Sequence, residues 1–179
     1  MRKLENDELP RLTVDDFKEA AKIPLVIVLD NVRSSNNIGS IFRTSDAFLV
    51  NKIYLCGICA QPPDKEIHKT ALGAEYSMAW EYFETTGEAI QHLKSEGYSI
   101  FAIEQVEGSI PLQDYNPDLN EKVALVFGNE VKGVQQEIVY LCDKTIEIPQ
   151  FGTKHSFNIA VSAGIVLWEI YNKITLKAK

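Results

Sequence analysis

The sequence predicts an α/β fold, a mostly parallel sheet with helices on both faces. Short apolar runs recur along the chain, and stretches of helical character separate them. The runs are rich in β-branched and aromatic residues and nearly continuous in apolarity, as strands covered on both faces are. Alternation of strand and helix favours a parallel sheet.

The expected strands are Leu25–Leu29, Lys52–Leu55, Ser99–Ile103, Val123–Phe127 and Thr145–Ile148. Thr13–Ala21 reads as a helix, because Thr13 can cap it and Asp15 and Asp16 follow in the first turn. Asn37–Phe48 follows the first strand, with Asn36 or Asn37 as the expected cap. Thr86–Ser95 closes before Gly97, a residue suited to a helix C-terminus. Gln135–Cys142 separates the last two strands. Asn158–Ile174 is the longest helix, and its apolar positions wrap far enough round to imply deep burial. Residues Thr175–Lys179 are expected to fray.

A chain of 179 residues suits one domain with a full core. The division expected is an N-terminal extension with a short helix, 1–23, and a main domain, 24–179. Apolar residues make up 45% and no run is long enough to span a bilayer. The N-terminus lacks the apolar stretch of an export signal, so a cytoplasmic protein is expected. Three cysteines in such a chain argue against a disulfide framework.

The formal net charge of −7 speaks against nucleic acid, whose phosphates need Lys and Arg. Its distribution softens that objection. Nine of the 25 acidic residues but only one of the 18 basic ones, Lys94, fall between Glu81 and Glu121. The remaining 16 acidic and 17 basic residues nearly balance, leaving room for an RNA face elsewhere.

In a parallel sheet, ligands gather where strands end and helices begin. Three such junctions carry dense polar sequence. The first, Asp30 to Arg43, contains Asn37, Gly39 and two of the four arginines, Arg33 and Arg43. Arg43 lies among apolar residues, where a charge is expected to have a partner. The second, Val126 to Val134, ends a buried strand in Gly128, Asn129, Glu130 and Gly133. The glycines permit close approach of backbone to a ligand, and Glu130 can accept from a ligand or pair with a cation. It is no P-loop, and no G-x-G-x-x-G occurs. The third runs from Ile148 to Asn158. Ser156 and Asn158 flank Phe157, and either could cap the long helix; two polar groups there suggest a lined pocket.

Together, in this order, the three loops resemble the SpoU, or TrmH-type, family of the SPOUT methyltransferases. Asn37, Gly39 and Arg43 match an N-x-G-x-x-x-R motif. Gly128, Glu130 and Gly133 match a hydrophobic-G-x-E-x-x-G motif. Ile148, Pro149, Gly152, Ser156 and Asn158 match I-P-x-x-G-x-x-x-S-L-N, with Phe157 in place of Leu. The resemblance covers residues 24–174. It implies a deep C-terminal trefoil knot within residues 124–170, S-adenosylmethionine as cofactor, a homodimer, and methyl transfer to a ribose 2′-hydroxyl of tRNA or, with less reason, rRNA. Neither a metal nor a membrane is implied. Gly128, Ile148 and Phe157 match cofactor contacts, Glu104 at the end of the Ser99–Ile103 strand is another, and Asn129 and Gly133 join them from the same loop. Arg43, Asn37, Ser156, Asn158 and Glu130 are the implied catalytic set, with Arg43 reaching across the dimer and Glu130 shaping the cofactor loop and holding Arg43. Two rivals stand beside this reading: an RNA-binding dimer of the same fold without activity, and a dithiol oxidoreductase using Cys56 and Cys59.

Overall fold

A computed structural model describes residues 1–118 and 121–177. Seven strands form one sheet: β1 (Ile23–Asp30), β2 (Val50–Cys56), β3 (Trp80–Phe83), β4 (Ser99–Ile103), β5 (Ile110–Pro111), β6 (Val123–Phe127) and β7 (Lys144–Glu147). Their order is β3-β2-β1-β6-β4-β7-β5, and every neighbouring pair is parallel. The helices are α1 (Val14–Glu19), α2 (Ser35–Ala47), α3 (Lys65–Ala71), α4 (Ala74–Ser77), α5 (Thr86–Ser95), α6 (Gln136–Leu141) and α7 (Ile159–Lys177).

Side-chain alternation explains the near-continuous apolar runs. Leu25, Ile27 and Leu29 of β1 face a core shared with α2 and α7, while Val26 and Val28 face a second core with α5 and α6. In β6, Val123, Leu125 and Phe127 join the first core and Ala124 and Val126 the second. The sheet is thus buried on both sides.

The late strands enter the middle of the sheet. β6 lies between β1 and β4, and β7 between β4 and β5. Their register aligns Leu29 with Phe127, Phe127 with Ile103, and Ile103 with Ile146. The carboxyl ends of β1, β6, β4 and β7 therefore stand side by side, and their following loops converge.

Two strands escape the sequence pattern. β3 is half exposed at one sheet edge, and β5 is a two-residue strand at the other. The short helices α3 and α4 also escape it. Asp64 caps α3 by accepting from the amides of Glu66 and Ile67, both at 2.9 Å. The expected cap of α2 is corrected: Ser34, not Asn36 or Asn37, precedes the helix and accepts from the Asn37 amide at 3.3 Å.

The N-terminal segment forms the expected short helix and also contributes to the core. Thr13 caps α1, and Phe17 is buried in the first core. Helix α7 is less enclosed than its composition implied. Ala163, Val166, Leu167 and Ile170 are fully buried, but Val161 and Trp168 are 49% and 55% exposed. The helix also continues through Lys177, past the expected start of fraying at Thr175; residues 178–179 of that expectation lie outside the described residues. Lys173 anchors its end, donating to the carbonyls of Leu112, Gln113 and Tyr115 at 2.9, 2.9 and 2.7 Å. Among the described residues, no helix is long and apolar enough to cross a membrane.

Candidate functional site

The ends of β4, β6 and β7 enclose a cavity of 510 Å³. Its walls include Glu104 after β4, Gly128, Asn129 and Gly133 after β6, and Ile148 after β7. Ser156, Phe157 and Asn158, just before α7, complete the rim. The residues implied for cofactor binding thus share one cavity, although they come from three separate parts of the chain.

The 128–134 loop is drawn tight. Asn129 and Gly133 exchange backbone hydrogen bonds at 3.0 and 2.8 Å. The Asn129 side-chain carbonyl accepts from the amides of Val131 and Lys132 at 2.9 and 3.3 Å. A Cβ at Gly128 would stand 2.0 Å from both the Gly133 carbonyl carbon and the Val134 nitrogen. Gly133 has φ +67°, and a Cβ there would meet Glu104 Oε2 at 2.1 Å. Backbone packing therefore demands glycine at 128, and the left-handed backbone favours it at 133. Glu104 braces this loop: Oε2 accepts from the Val134 amide at 3.0 Å, and Oε1 from the Gln105 amide at 2.8 Å.

At the cavity mouth, Glu130 ties the second loop to the first. Its carboxylate accepts from the backbone amides of Arg33 and Ser34, each at 3.0 Å, and from Asn37 Nδ2 at 3.1 Å. Asn37 Oδ1 accepts from Asn158 Nδ2 at 3.1 Å. Asn158 Oδ1 in turn accepts from the Ala160 amide at 2.9 Å, capping α7. Burial alone would raise the Glu130 pKa. The hydrogen bonds from Arg33, Asn37 and Ser34 outweigh it and hold the carboxyl below its ordinary range.

Arg43 stands apart from this chain and is exposed on α2. Ile38, Ile41, Phe42 and Ser45 form the buried face of that helix, and Arg43 points away from it. It lines a second cleft with Arg11, Asp46 and Tyr76. One expectation is thereby corrected within the chain: Arg43 has no side-chain partner among the described residues. The Glu130 oxygens are engaged by the first loop.

Cys56 and Cys59 are free and buried. Cys59 donates to the Leu29 carbonyl at 3.3 Å and accepts from the Val32 amide at 3.2 Å. Burial pushes the Cys56 thiol far up and the Cys59 thiol to about 11. Thiols held in this way are poor nucleophiles at neutral pH, which opposes the dithiol reading. Among the described residues, no group of three or more His, Cys, Asp or Glu is arranged to hold a metal.

Sequence reasoning missed Asp30, a fully buried carboxylate at the end of β1 beneath the loops. The available signal was an acidic residue closing an otherwise apolar strand. It also missed the contribution of Val134 and Val139 to the cavity wall.

Comparison with known proteins gives this arrangement its relatives. The family model described as "SpoU rRNA Methylase family" matches residues 24–168. The tRNA (guanosine(18)-2'-O)-methyltransferase of Aquifex aeolicus is 33% identical over 148 residues, covering 81% of this chain and 67% of that enzyme. The chain spans about two thirds of the length of the curated relatives it matches. The crystal structure of the A. aeolicus TrmH/SpoU tRNA modifying enzyme superposes with a TM-score of 0.80 at 27% identity, covering 92% of this chain and 84% of that one. An AdoMet-bound rRNA methyltransferase from Sinorhizobium meliloti superposes with a TM-score of 0.77 at 26% identity, covering 88% and 59%. With the matched region running from β1 well into α7, the chain belongs to the SpoU rRNA methylase family.

Proposed function

We propose that this chain transfers a methyl group from S-adenosylmethionine to a ribose 2′-hydroxyl of RNA, with tRNA preferred to rRNA. One observation carries the reading: the hydrogen-bonded chain Glu130–Asn37–Asn158 joins three loops at the mouth of the cavity. The names of the A. aeolicus and S. meliloti relatives support the cofactor and the substrate class.

The cavity fits such a cofactor. Its volume lies within the roughly 300–1,000 Å³ usual for small-molecule sites. The loop that forms one wall closes on itself only because Gly128 has no side chain, and Ile148 and Phe157 offer apolar walls. Glu104, Gly128, Asn129, Gly133, Ile148 and Phe157 would hold S-adenosylmethionine. Bound there, it supplies a methyl group on a positively charged sulfur.

The remaining residues act on the acceptor. Asn37, Ser156 and Asn158 orient the ribose at the rim, and Glu130 keeps Asn37 in place. Orientation of this kind is worth effective molarities up to roughly 10⁵–10⁸ M in the best cases. Arg43, reaching across the dimer from the other subunit, binds the acceptor phosphate and stabilises charge developing on the hydroxyl oxygen. As a guanidinium it donates and does not serve as the base. Its exposure without a partner suits a group that meets RNA or a second subunit.

A homodimer belongs to the same reading. Val161 and Trp168 lie seven residues apart on one exposed stripe of α7, which packs along α2, the helix that bears Arg43. A trefoil knot within 124–170 belongs to it too. Insertion of β6 and β7 into the middle of the sheet supports it, as does the Lys173 clasp on the segment after β5. We keep the division into an extension, 1–23, and a methyltransferase domain, 24–179. An RNA substrate accords with the cytoplasmic location read from the sequence.

Incubation with isotope-labelled S-adenosylmethionine and total tRNA or rRNA tests the proposal. Label should enter RNA. Cofactor uptake without transfer to any RNA would favour the inactive RNA-binding relative.

A further inference from the structure

Asp30 ends β1 with no exposed surface, and its carboxylate collects four donors. Oδ1 accepts from Thr86 Oγ1 at 2.6 Å, Asn31 Nδ2 at 3.0 Å and Gln135 Nε2 at 3.1 Å. Oδ2 accepts from the Gln135 backbone amide at 3.1 Å. No cation bonds to it among the described residues, so these donors alone offset its burial.

Two of the donors belong to Gln135, which follows the 128–134 loop and immediately precedes α6. The loop's other end reaches the same place through Asn31. That residue has φ +56°, and its backbone carbonyl accepts from Asn129 Nδ2 at 2.7 Å. Asn129 is the residue whose side chain shapes the turn through Val131 and Lys132. Both ends of the loop are therefore tethered to the Asp30–Asn31 pair at the end of a central strand. Thr86, by contrast, belongs to α5 and lies outside the loop.

We propose that Asp30 is a positioning residue for the cofactor, a buried carboxylate that holds the Gly128–Gly133 loop in its binding shape from beneath. This rests on the reading of that cavity as the S-adenosylmethionine site. Asp30 touches neither the cavity nor the substrate. It acts directly on Gln135 and through Asn31 on Asn129, so its loss is felt in cofactor affinity beyond any loss in stability.

Asp30→Asn retains the shape but sets an amide N–H against the donors of Gln135. Calorimetric titration of the full chain with S-adenosylmethionine, with a parallel thermal melt, separates positioning from stability. We expect Asp30→Asn to raise Kd about tenfold. Gln135→Met deletes only one donor on the loop side and should raise Kd by a smaller factor, which keeps the test open if Asp30→Asn does not fold. Thr86→Val deletes one donor on the other side; it should lower Tm and leave Kd unchanged. The proposal is overturned if the loop-side variants that fold keep the wild-type Kd, or if Thr86→Val weakens binding as much as they do. Gly128→Ala identifies the level of a failure. If it binds cofactor normally, the cavity is not the cofactor site and the tether falls with it. If it loses binding while Asp30→Asn keeps it, the tether alone is wrong.

Discussion

Asn158 donates from Nδ2 to Asn37 Oδ1 over 3.1 Å, although 121 residues separate the two in sequence. Asn37 spends its own amide on Glu130, and Asn158 spends its carbonyl on the first turn of α7. Each asparagine thus uses both ends of its amide, which fixes its orientation at the cavity mouth. This contact couples the first loop to the third, while Glu130 couples the first to the second.

Asn37→Ala should break the coupling to Asn158 and remove one of the three hydrogen bonds that tie Glu130 to the first loop. Loss of two partly exposed hydrogen bonds costs about 1–2 kcal/mol in stability, a modest fall in Tm. Misplacement of the acceptor should cost more, roughly 10² in turnover. Because Asn37 does not line the cavity, cofactor affinity should change little. Steady-state kinetics beside calorimetry checks this, and an equal loss in both would argue against an acceptor-side role.

Arg43→Lys isolates the guanidinium. Arg43 is exposed and has no side-chain partner among the described residues, so stability should move by no more than about 0.5 kcal/mol. Turnover should fall by roughly 10² if the planar fork meets phosphate and developing charge. Near-normal turnover in a folded variant would remove the specific guanidinium role.

Glu130 gives stability a pH dependence. Its folded pKa lies below the ordinary value of 4.5, so the unfolded chain binds the proton more tightly. Its contribution is complete above that ordinary value and is lost as pH falls through the lower, folded one. Solvent contact keeps the contribution small. The Tm difference between wild type and Glu130→Gln should be constant near neutrality and shrink below about pH 4.5. A gap that widens in acid would contradict the hydrogen-bonding scheme.

Cys56→Ala and Cys59→Ala should retain turnover per folded molecule, because both thiols are buried and protonated at neutral pH. Each should lower stability by about 1 kcal/mol through lost packing. Loss of activity in either variant at an unchanged folded fraction would revive a chemical role for the pair.

Much of the fold was legible because its central strands are short, apolar and doubly covered. Ser99–Ile103, Val123–Phe127 and Thr86–Ser95 appear with the bounds their patterns imply. Edge strands were not legible: Glu81 and Tyr82 of β3 are both exposed, and β5 is two residues long. The cap of α2 depended on distance in the fold, not in the chain. Asn36 and Asn37 were equally good local candidates, but Glu130 pins the Arg33 and Ser34 amides, and Ser34 is the cap. Arg43 was misread from its apolar neighbours, whereas helical spacing from Ile38, Ile41, Phe42 and Ser45 sets it on the outer face. The glycines of the second loop were visible as residues, but their need appears only in the 2.0 Å approach across the loop. Asp30 had no legible partners, since Thr86 and Gln135 lie 56 and 105 residues away.

The central claim is methyl transfer to a ribose oxygen. RNA labelled by this chain from S-adenosylmethionine can be digested to nucleosides and separated. All label is expected in a 2′-O-methylated nucleoside, with none when Arg43→Ala replaces the wild type. Label carried on a base, or RNA left unlabelled by a chain that binds the cofactor, would contradict it.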